Sequence, residues 1–338
     1  MSYSYPLYGL SVVSDTPIPG LCRKPTGVES ADILLEVTSD PPDWVQAARN
    51  LPSVRRHNRL EHEEAGDPAC SVTSLGPDEF LELSYSDGTQ FVIDAAGARV
   101  WGTCLLPLTI EDFADYFRGP VMGLVLRLRN IIALHASVVN LWGAAVLLCG
   151  ESAAGKSTTA AALALRGIPV LTEDIAALCV ENRRFQVQAG HPRICLWRDS
   201  VANLFGTAEA LSQVSAAWEK CYLPLDGKLA KFDSKRRPVG AIYLLGQRTA
   251  AADTPRIEEV SAPAALLELV RNTYRNWLLD RTQRAAEFEV LGKLVTQVPV
   301  RRIVPHFDPA RIEALCDLIV ADTSALRNAA APSLVSNR

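Results

Sequence analysis

From Leu134 to Leu178 the chain reads LHASVVNLWGAAVLLCGESAAGKSTTAAALALRGIPVLTEDIAAL, and this stretch decides the fold. Its centre, Gly150-Glu151-Ser152-Ala153-Ala154-Gly155-Lys156-Ser157, fits the phosphate-binding pattern GxxxxGK[ST]. The flanks supply the context that the pattern requires. Ala144 to Cys149 is an apolar run suited to a buried strand, and Lys156 to Arg166 is Ala/Leu-rich with Gly167 as a C-terminal stop. Strand, glycine loop and helix in that order bring backbone N–H groups and a helix N-terminus to one point, where a polyanion can satisfy them. The bland alternative is a glycine turn with a surface lysine, and the flanks argue against it.

The expected nucleotide-binding set is therefore Gly150, Glu151, Ser152, Ala153, Ala154, Gly155, Lys156, Ser157 and Thr158, for ATP. Lys156 would reach the β/γ-phosphates, and Ser157 would ligate Mg²⁺. Downstream, Ile168 to Leu171 is a short apolar strand ending in Thr172-Glu173-Asp174. One carboxylate of such a pair can hold the magnesium shell while the other takes the proton of an attacking hydroxyl. Asp174 is assigned with Ser157 to the metal and Glu173 to the base, with the choice between the two acids left open. A solvated acidic strand end is the competing reading. His135, at the start of an alternating stretch, is by residue type alone more often structural than catalytic.

Taken together, LHxxxV, a hydrophobic strand, GxSxxGKS, an RG-terminated helix and a strand with paired acids resemble the catalytic domain of HPr kinase/phosphorylase. The intervals from His135 to Lys156 and from Lys156 to Glu173 also look like those of that family. The resemblance implies an α/β P-loop kinase domain in which His135, Lys156, Glu173 and Asp174 are catalytic. Two departures limit it. The family's Asp-Asp pair is Glu173-Asp174 here. Its glycine-rich second signature has no counterpart, the region reading Gly190-His191-Pro192-Arg193-Ile194-Cys195-Leu196-Trp197. Phosphorolysis, HPr as substrate and the family's hexamer are not carried over. The remaining features, YPLYGLSV at the start, PRxxLW, Asp226-Gly227-Lys228 and VPVRRI, resemble the divergent kinases of lasso-peptide biosynthesis, which phosphorylate the C-terminal serine of a precursor peptide.

Composition narrows the class. The 338 residues allow two domains, with 48% hydrophobic and 21% charged residues as in an ordinary globular protein. A net charge of −4 argues against a nucleic-acid binder. The sequence has neither a membrane-length apolar run nor a signal peptide at MSYSYPLYGL, so a cytoplasmic location is expected. The eight cysteines are scattered without a CxxC pair and read as reduced, with no structural zinc.

Along the chain, a β-rich N-terminal domain is expected over 1–115. Strands are read at Tyr8–Val13 and Ile33–Val37, and a meander through Glu79–Tyr85, Thr89–Ile93 and Ala98–Trp101. The basic run Arg55 to Arg59, followed by Glu61, Glu63 and Glu64, reads as a solvated face. Thr109 caps a helix that Gly119-Pro120 interrupts, and the kinase domain follows over 120–322. Arg193 is either a contact for phosphate or a substrate carboxylate, or a surface arginine; His191 reads as a turn residue and Trp197 as core. Lys228 belongs to a basic stretch that suits an anion or a mobile loop. Helices are expected at Ala264–Leu279, Ala285–Val295 and from Asp308-Pro309 to Ile319, with a disordered tail over 323–338.

The expectation is an ATP- and Mg²⁺-dependent kinase acting on a serine hydroxyl of a peptide or protein. The alternatives are a small-molecule kinase, for example of free serine, and a nucleotide-binding sensor or scaffold without transfer.

Overall fold

The computed structural model describes residues 2–24, 30–59, 70–214, 218–276 and 279–330. It is a mixed α/β structure built around two eight-stranded sheets and a small two-stranded one. The first comprises β1 (Tyr3–Leu7), β2 (Leu10–Ser14), β3 (Ile33–Val37), β4 (Ser53–Arg59), β5 (Cys70–Leu75), β6 (Phe80–Tyr85), β7 (Gln90–Asp94) and β8 (Arg99–Thr103), in the order β1-β2-β3-β8-β7-β6-β5-β4. Alternation sets its faces: in β6, Leu81, Leu83 and Tyr85 are buried while the residues between them are less so. One face takes α1 (Asp43–Arg49), whose Val45 packs on Val92 and Trp101.

The other face takes a broken helix. Its first part, α2 (Ile110–Tyr116), begins at Thr109, whose backbone N–H and hydroxyl both donate to Asp112 Oδ2 at 2.8 Å. At Gly119-Pro120 the chain stays helical but widens into a π turn over Phe117–Val121, then continues as α3 (Met122–Leu128). Proline lacks the N–H of a normal helical bond, and the wider turn accommodates it. Phe113 stacks on Phe91 with ring centroids 4.9 Å apart.

The second sheet contains β9 (Ala133–Leu141), β10 (Ala144–Cys149), β11 (Val170–Thr172), β12 (Ile175–Glu181), β13 (Arg184–Val187), β16 (Arg237–Leu245), β17 (Arg256–Glu259) and β18 (Val300–Val304); β14 (Arg193–Trp197) and β15 (Lys220–Pro224) form the small sheet. Its path is β10-β9-β12-β13-β16-β18-β17, and β10 also pairs with β16 in parallel. Apolar residues cover both faces. Helices α4 (Lys156–Leu165) and α8 (Ile312–Ala330) pack on one, α6 (Ala262–Arg271) and α7 (Arg281–Gln297) on the other, and α5 (Arg198–Phe205) follows β14.

Several sequence expectations change. Tyr8 to Val13 is not one strand: Tyr8 and Gly9 form the turn between β1 and β2, with φ of 53° and 81°. The helix read at Ala264–Leu279 ends at Arg271, capped by Asn272. The last helix runs past Ile319 to Ala330, so the polar stretch from 323 to 330 is helical rather than disordered, while 331–338 lie outside the described residues. Small and polar residues continue this helix because Leu315, Cys316 and Ile319 anchor it on the core. Glu61, Glu63 and Glu64 lie outside the described residues, and the backbone of Arg55 to Arg59 belongs to β4. All eight cysteines are free. No helix among the described residues is long and apolar enough to cross a membrane.

The core is continuous across the boundary expected near 115–120. Residues of the first sheet and of α2 and α3 pack in one cluster with Ala133, Ile175, Ala177 and Tyr274. Arg127 of α3 fastens this junction: it is 4% exposed, donates to the carbonyls of Tyr274 and Ala133, and pairs with Glu287 of α7. Removing one member leaves a buried charge uncompensated, costing about 3–5 kcal/mol. Arg127→Met should therefore lower Tm in a thermal melt, and the double variant Arg127→Met/Glu287→Leu should recover most of the loss.

Candidate active site

The glycine loop joins β10 to α4 as its sequence demands. Gly150 has φ 152°, and a Cβ there would lie 2.9 Å from the Leu245 carbonyl; Gly155 caps α4 with φ 101°. Side chains are disfavoured at both positions. Ala153 also takes a left-handed φ of 61°, a mildly strained value for a residue with a Cβ. The N–H groups of the first turn of α4 have no helical acceptor and face the loop's interior. Lys156 is buried, and its ammonium donates to the carbonyls of Gly150 and Glu151 at 2.9 Å each.

As expected, a strand, β11, ends at Thr172 directly before Glu173 and Asp174, which form the bend leading into β12. β11 and β12 both pair antiparallel with β9, and between them Asp174 adopts φ 69°. Aspartate tolerates this region better than most residues. The kink sends the carboxylates to different partners. Glu173, 7% exposed, accepts the Ser157 hydroxyl at 2.6 Å. Asp174 meets His135 Nδ1 at 3.0 Å through Oδ1 and accepts the Tyr274 hydroxyl at 3.2 Å through Oδ2. Its carbonyl accepts Ala136 N–H at 3.1 Å, locking the kink against β9.

The two acids titrate far apart. Burial, then the charge of Asp174, pushes Glu173 up to about 7 against the opposing effects of Ser157, Lys220 and His135. Burial also works against a charge on Asp174, but His135, Lys220 and Arg275 outweigh it and hold the group well below the ordinary carboxylate range. Asp174 is thus the anion of the pair at neutral pH and Glu173 the group nearer its midpoint.

Asn272 ties these parts together. Its side-chain oxygen accepts Gly150 N–H at 3.1 Å and its carbonyl accepts His135 N–H at 2.7 Å, so one residue fixes the start of the phosphate loop and the strand carrying the histidine. Beyond Asp174 lies the π turn: a Cβ on Gly119 would sit 3.7 Å from Asp174 Oδ2, and one on Gly123 would fall inside the Tyr274 ring. Tyr8 is buried, with its hydroxyl on the Arg118 carbonyl at 3.2 Å and its N–H on the Ala189 carbonyl at 2.9 Å. Burial, then the charge of Asp174, raises its phenol well above the ordinary value, so it stays neutral.

The remaining sequence candidates separate. Arg193 is not a surface residue: its side chain is 13% exposed, meets Glu111 at 3.2 Å and lies 4.3 Å over the Tyr222 ring. His191, read as a turn residue, is buried next to this arginine, and burial followed by the Arg118 charge lowers it to about 3. Lys228 stands apart, 86% exposed and paired with Asp226. Trp197 is 39% exposed rather than core, with the Lys220 ammonium 4.7 Å over its ring. No cluster of three or more His, Cys, Asp or Glu side chains suited to a metal occurs among the described residues. The oxygen donors Ser157 and Glu173 instead form the kind of partial set that Mg²⁺ uses when phosphates and water complete its shell.

No family model matches the chain, and neither does any curated protein. Among solved structures, the HPr(Ser) kinase/phosphatase of Coxiella burnetii is similar at 17% identity and TM-score 0.30, over 58% of this chain and 92% of that one. So loose a similarity leaves the functional reading to the geometry of the site itself.

Sequence reasoning missed Asn272, Tyr274, Lys220 and Arg118. Asn272 carried a signal, since asparagine favours helix ends, but the apolar spacing was followed past it. The others come from elements remote in sequence and had none.

Because folded Glu173 titrates near 7, above the roughly 4.3 of an unfolded glutamate, the unfolded chain releases that proton first. Stability is therefore lost as pH rises from about 4.3 to about 7. Glu173→Gln should gain Tm relative to wild type between about pH 5 and about pH 8, by a few degrees; an unchanged difference would contradict the assignment.

Proposed function

We propose that this chain is an ATP-dependent kinase that transfers the γ-phosphoryl group to a serine hydroxyl of a peptide or protein. The observation that carries it is the division of the acid pair: Glu173 on the Ser157 hydroxyl, Asp174 on His135 and Tyr274, both beside a glycine loop at a helix N-terminus. A nucleotide scaffold needs the loop but has little use for a second, ionised carboxylate fixed by His135 and Tyr274.

In this reading the backbone N–H groups from Gly150 to Thr158 bind the polyphosphate of ATP, and Lys156 leaves its loop carbonyls for the β/γ-phosphates. Ser157 and Glu173 would hold Mg²⁺, which when bound offsets charge on the β- and γ-phosphates. Asp174 accepts the hydrogen bond of the acceptor hydroxyl and aims its oxygen at the γ-phosphorus. As the new O–P bond forms and the bond to the β-phosphate oxygen breaks, ADP leaves and the proton passes to the Asp174–His135 pair. Tyr274 keeps the carboxylate oriented. Of the two assignments the sequence left open, this reading takes the one with Glu173 on the metal side and Asp174 on the acceptor.

For the acceptor we propose the class implied by the resemblance, the C-terminal serine of a lasso-peptide precursor. Mass spectrometry after incubation with ATP, Mg²⁺ and peptides ending in serine should show the gain of one phosphate on the free-acid peptide. Phosphorylation of free serine alone would replace the acceptor with a small molecule. Lys156→Ala should lose most ³²P transfer from labelled ATP, by about 100-fold or more, and wild-type transfer by that variant would overturn the mechanism. Asp174→Asn should lower kcat by about 10²–10⁴ while ATP binding persists; Glu173→Gln should instead raise the Mg²⁺ concentration needed for half-maximal rate.

A further inference from the structure

The loop leaving β16 runs beside the glycine loop. β10 and β16 are parallel neighbours, so both chains emerge from the same end of the sheet, and the Leu245 carbonyl at the end of β16 abuts Gly150. The following residues are held firmly. Gly246 N–H donates to the Ile303 carbonyl at 2.8 Å, Thr249 N–H to the Pro305 carbonyl at 3.1 Å, and Phe307 N–H returns to the Thr249 carbonyl at 2.9 Å. Backbone bonds thus fix the loop on both sides of Arg248.

Arg248 is aimed from this loop at the start of α4. A Cβ placed on Gly155, the N-cap of that helix, would lie 3.0 Å from Arg248 Nη2. The side chain is exposed, and among the described residues it has no ion-pair or hydrogen-bond partner. Elsewhere in the chain Arg166, Arg198, Arg236 and Arg256 each sit on a carboxylate. A guanidinium without a counter-ion, on a fixed loop, over the helix end whose positive dipole already favours anions, raises the local positive potential further. Such a concentration of like charge is favourable only toward an anion. The planar guanidinium fork also suits phosphate oxygens, which it can bind through two parallel N–H donors.

We propose that Arg248 is a second cation on the polyphosphate of the nucleotide, acting with Lys156 and supplied from the loop after β16. This rests on the glycine loop binding a nucleotide, as proposed above, and adds a binding residue outside the motif. It also explains a constraint at Gly155, where any side chain would push into the guanidinium as well as strain the backbone. Arg248 contacts phosphate in this account rather than the base or the acceptor.

The test measures binding of a fluorescent ATP analogue to wild type and to Arg248→Ala, Arg248→Lys and Lys156→Ala, with inorganic tripolyphosphate as competitor. Arg248 is exposed and makes no packing contact that a fold depends on, so its variants should melt as wild type. Arg248→Ala should weaken both the analogue and tripolyphosphate by about 10- to 100-fold, the range for a hydrogen bond to a charged group, and Arg248→Lys should restore part of the loss. Unchanged binding by Arg248→Ala, with Lys156→Ala weakened, would overturn the role of Arg248 and leave the nucleotide reading standing. Loss of the analogue with tripolyphosphate unaffected would also overturn it, since the contact would then lie on the nucleoside. Failure of the wild-type chain to bind either probe would bring down the nucleotide reading and this inference together.

Discussion

The site depends on a single backbone event, the left-handed turn at Asp174 between β11 and β12. In an unbroken strand, neighbouring side chains point to opposite faces, so two consecutive carboxylates could not address one cleft. The kink rotates Asp174 toward His135 while Glu173 stays with Ser157. A non-glycine residue with positive φ costs free energy, and strain of this kind persists where the surroundings over-determine it. Here the hydrogen bond from Ala136 to the Asp174 carbonyl, together with the contacts of His135 and Tyr274 to its carboxylate, hold it in place.

That geometry also separates the electrostatics of two chemically similar groups. Glu173 is buried and Asp174 only partly so, and the positive charge near Asp174 outweighs its burial, whereas for Glu173 burial and the repulsion of its neighbour outweigh Ser157, Lys220 and His135. A pair of carboxylates with divergent proton affinities can take different tasks in one reaction. The sequence motif specifies that two acids are present. The partners that tell them apart come from β9 and from the segment after α6.

Legibility from sequence followed the range of the interactions. The loop from Gly150 to Ser157, its strand, its helix and the position of the acids could be read because each rests on local rules of glycine conformation, apolar runs and helix termini. The meander of β6, β7 and β8 was readable through Asp87-Gly88 and Ala96-Gly97 for the same reason. What could not be read is what distant segments bring: Asn272 and Tyr274 were placed inside a helix because their neighbours continue an apolar spacing, whereas the chain leaves the helix at Asn272 and pairs with β9 through Thr273 and Leu134. The end of β11 before the acids could be read, but the left-handed turn at Asp174 was invisible because nothing in Thr172-Glu173-Asp174-Ile175 announces that pairing with β9 resumes at once. Trp197 was misplaced and Arg193 left undecided. Burial of a long cation depends on Glu111 and Tyr222, and exposure of a large ring on Lys220, all remote in the chain.

The β1–β2 turn has a consequence for how this architecture can vary. Tyr8 reaches across to the Ala189 and Arg118 backbones and forms part of the wall behind the acids. The opening sheet is therefore no detachable cassette. Swapping it for an unrelated module, or separating it by a flexible tether, would leave a hole in the masonry around Asp174, so the front and rear of the chain are bound to change in concert.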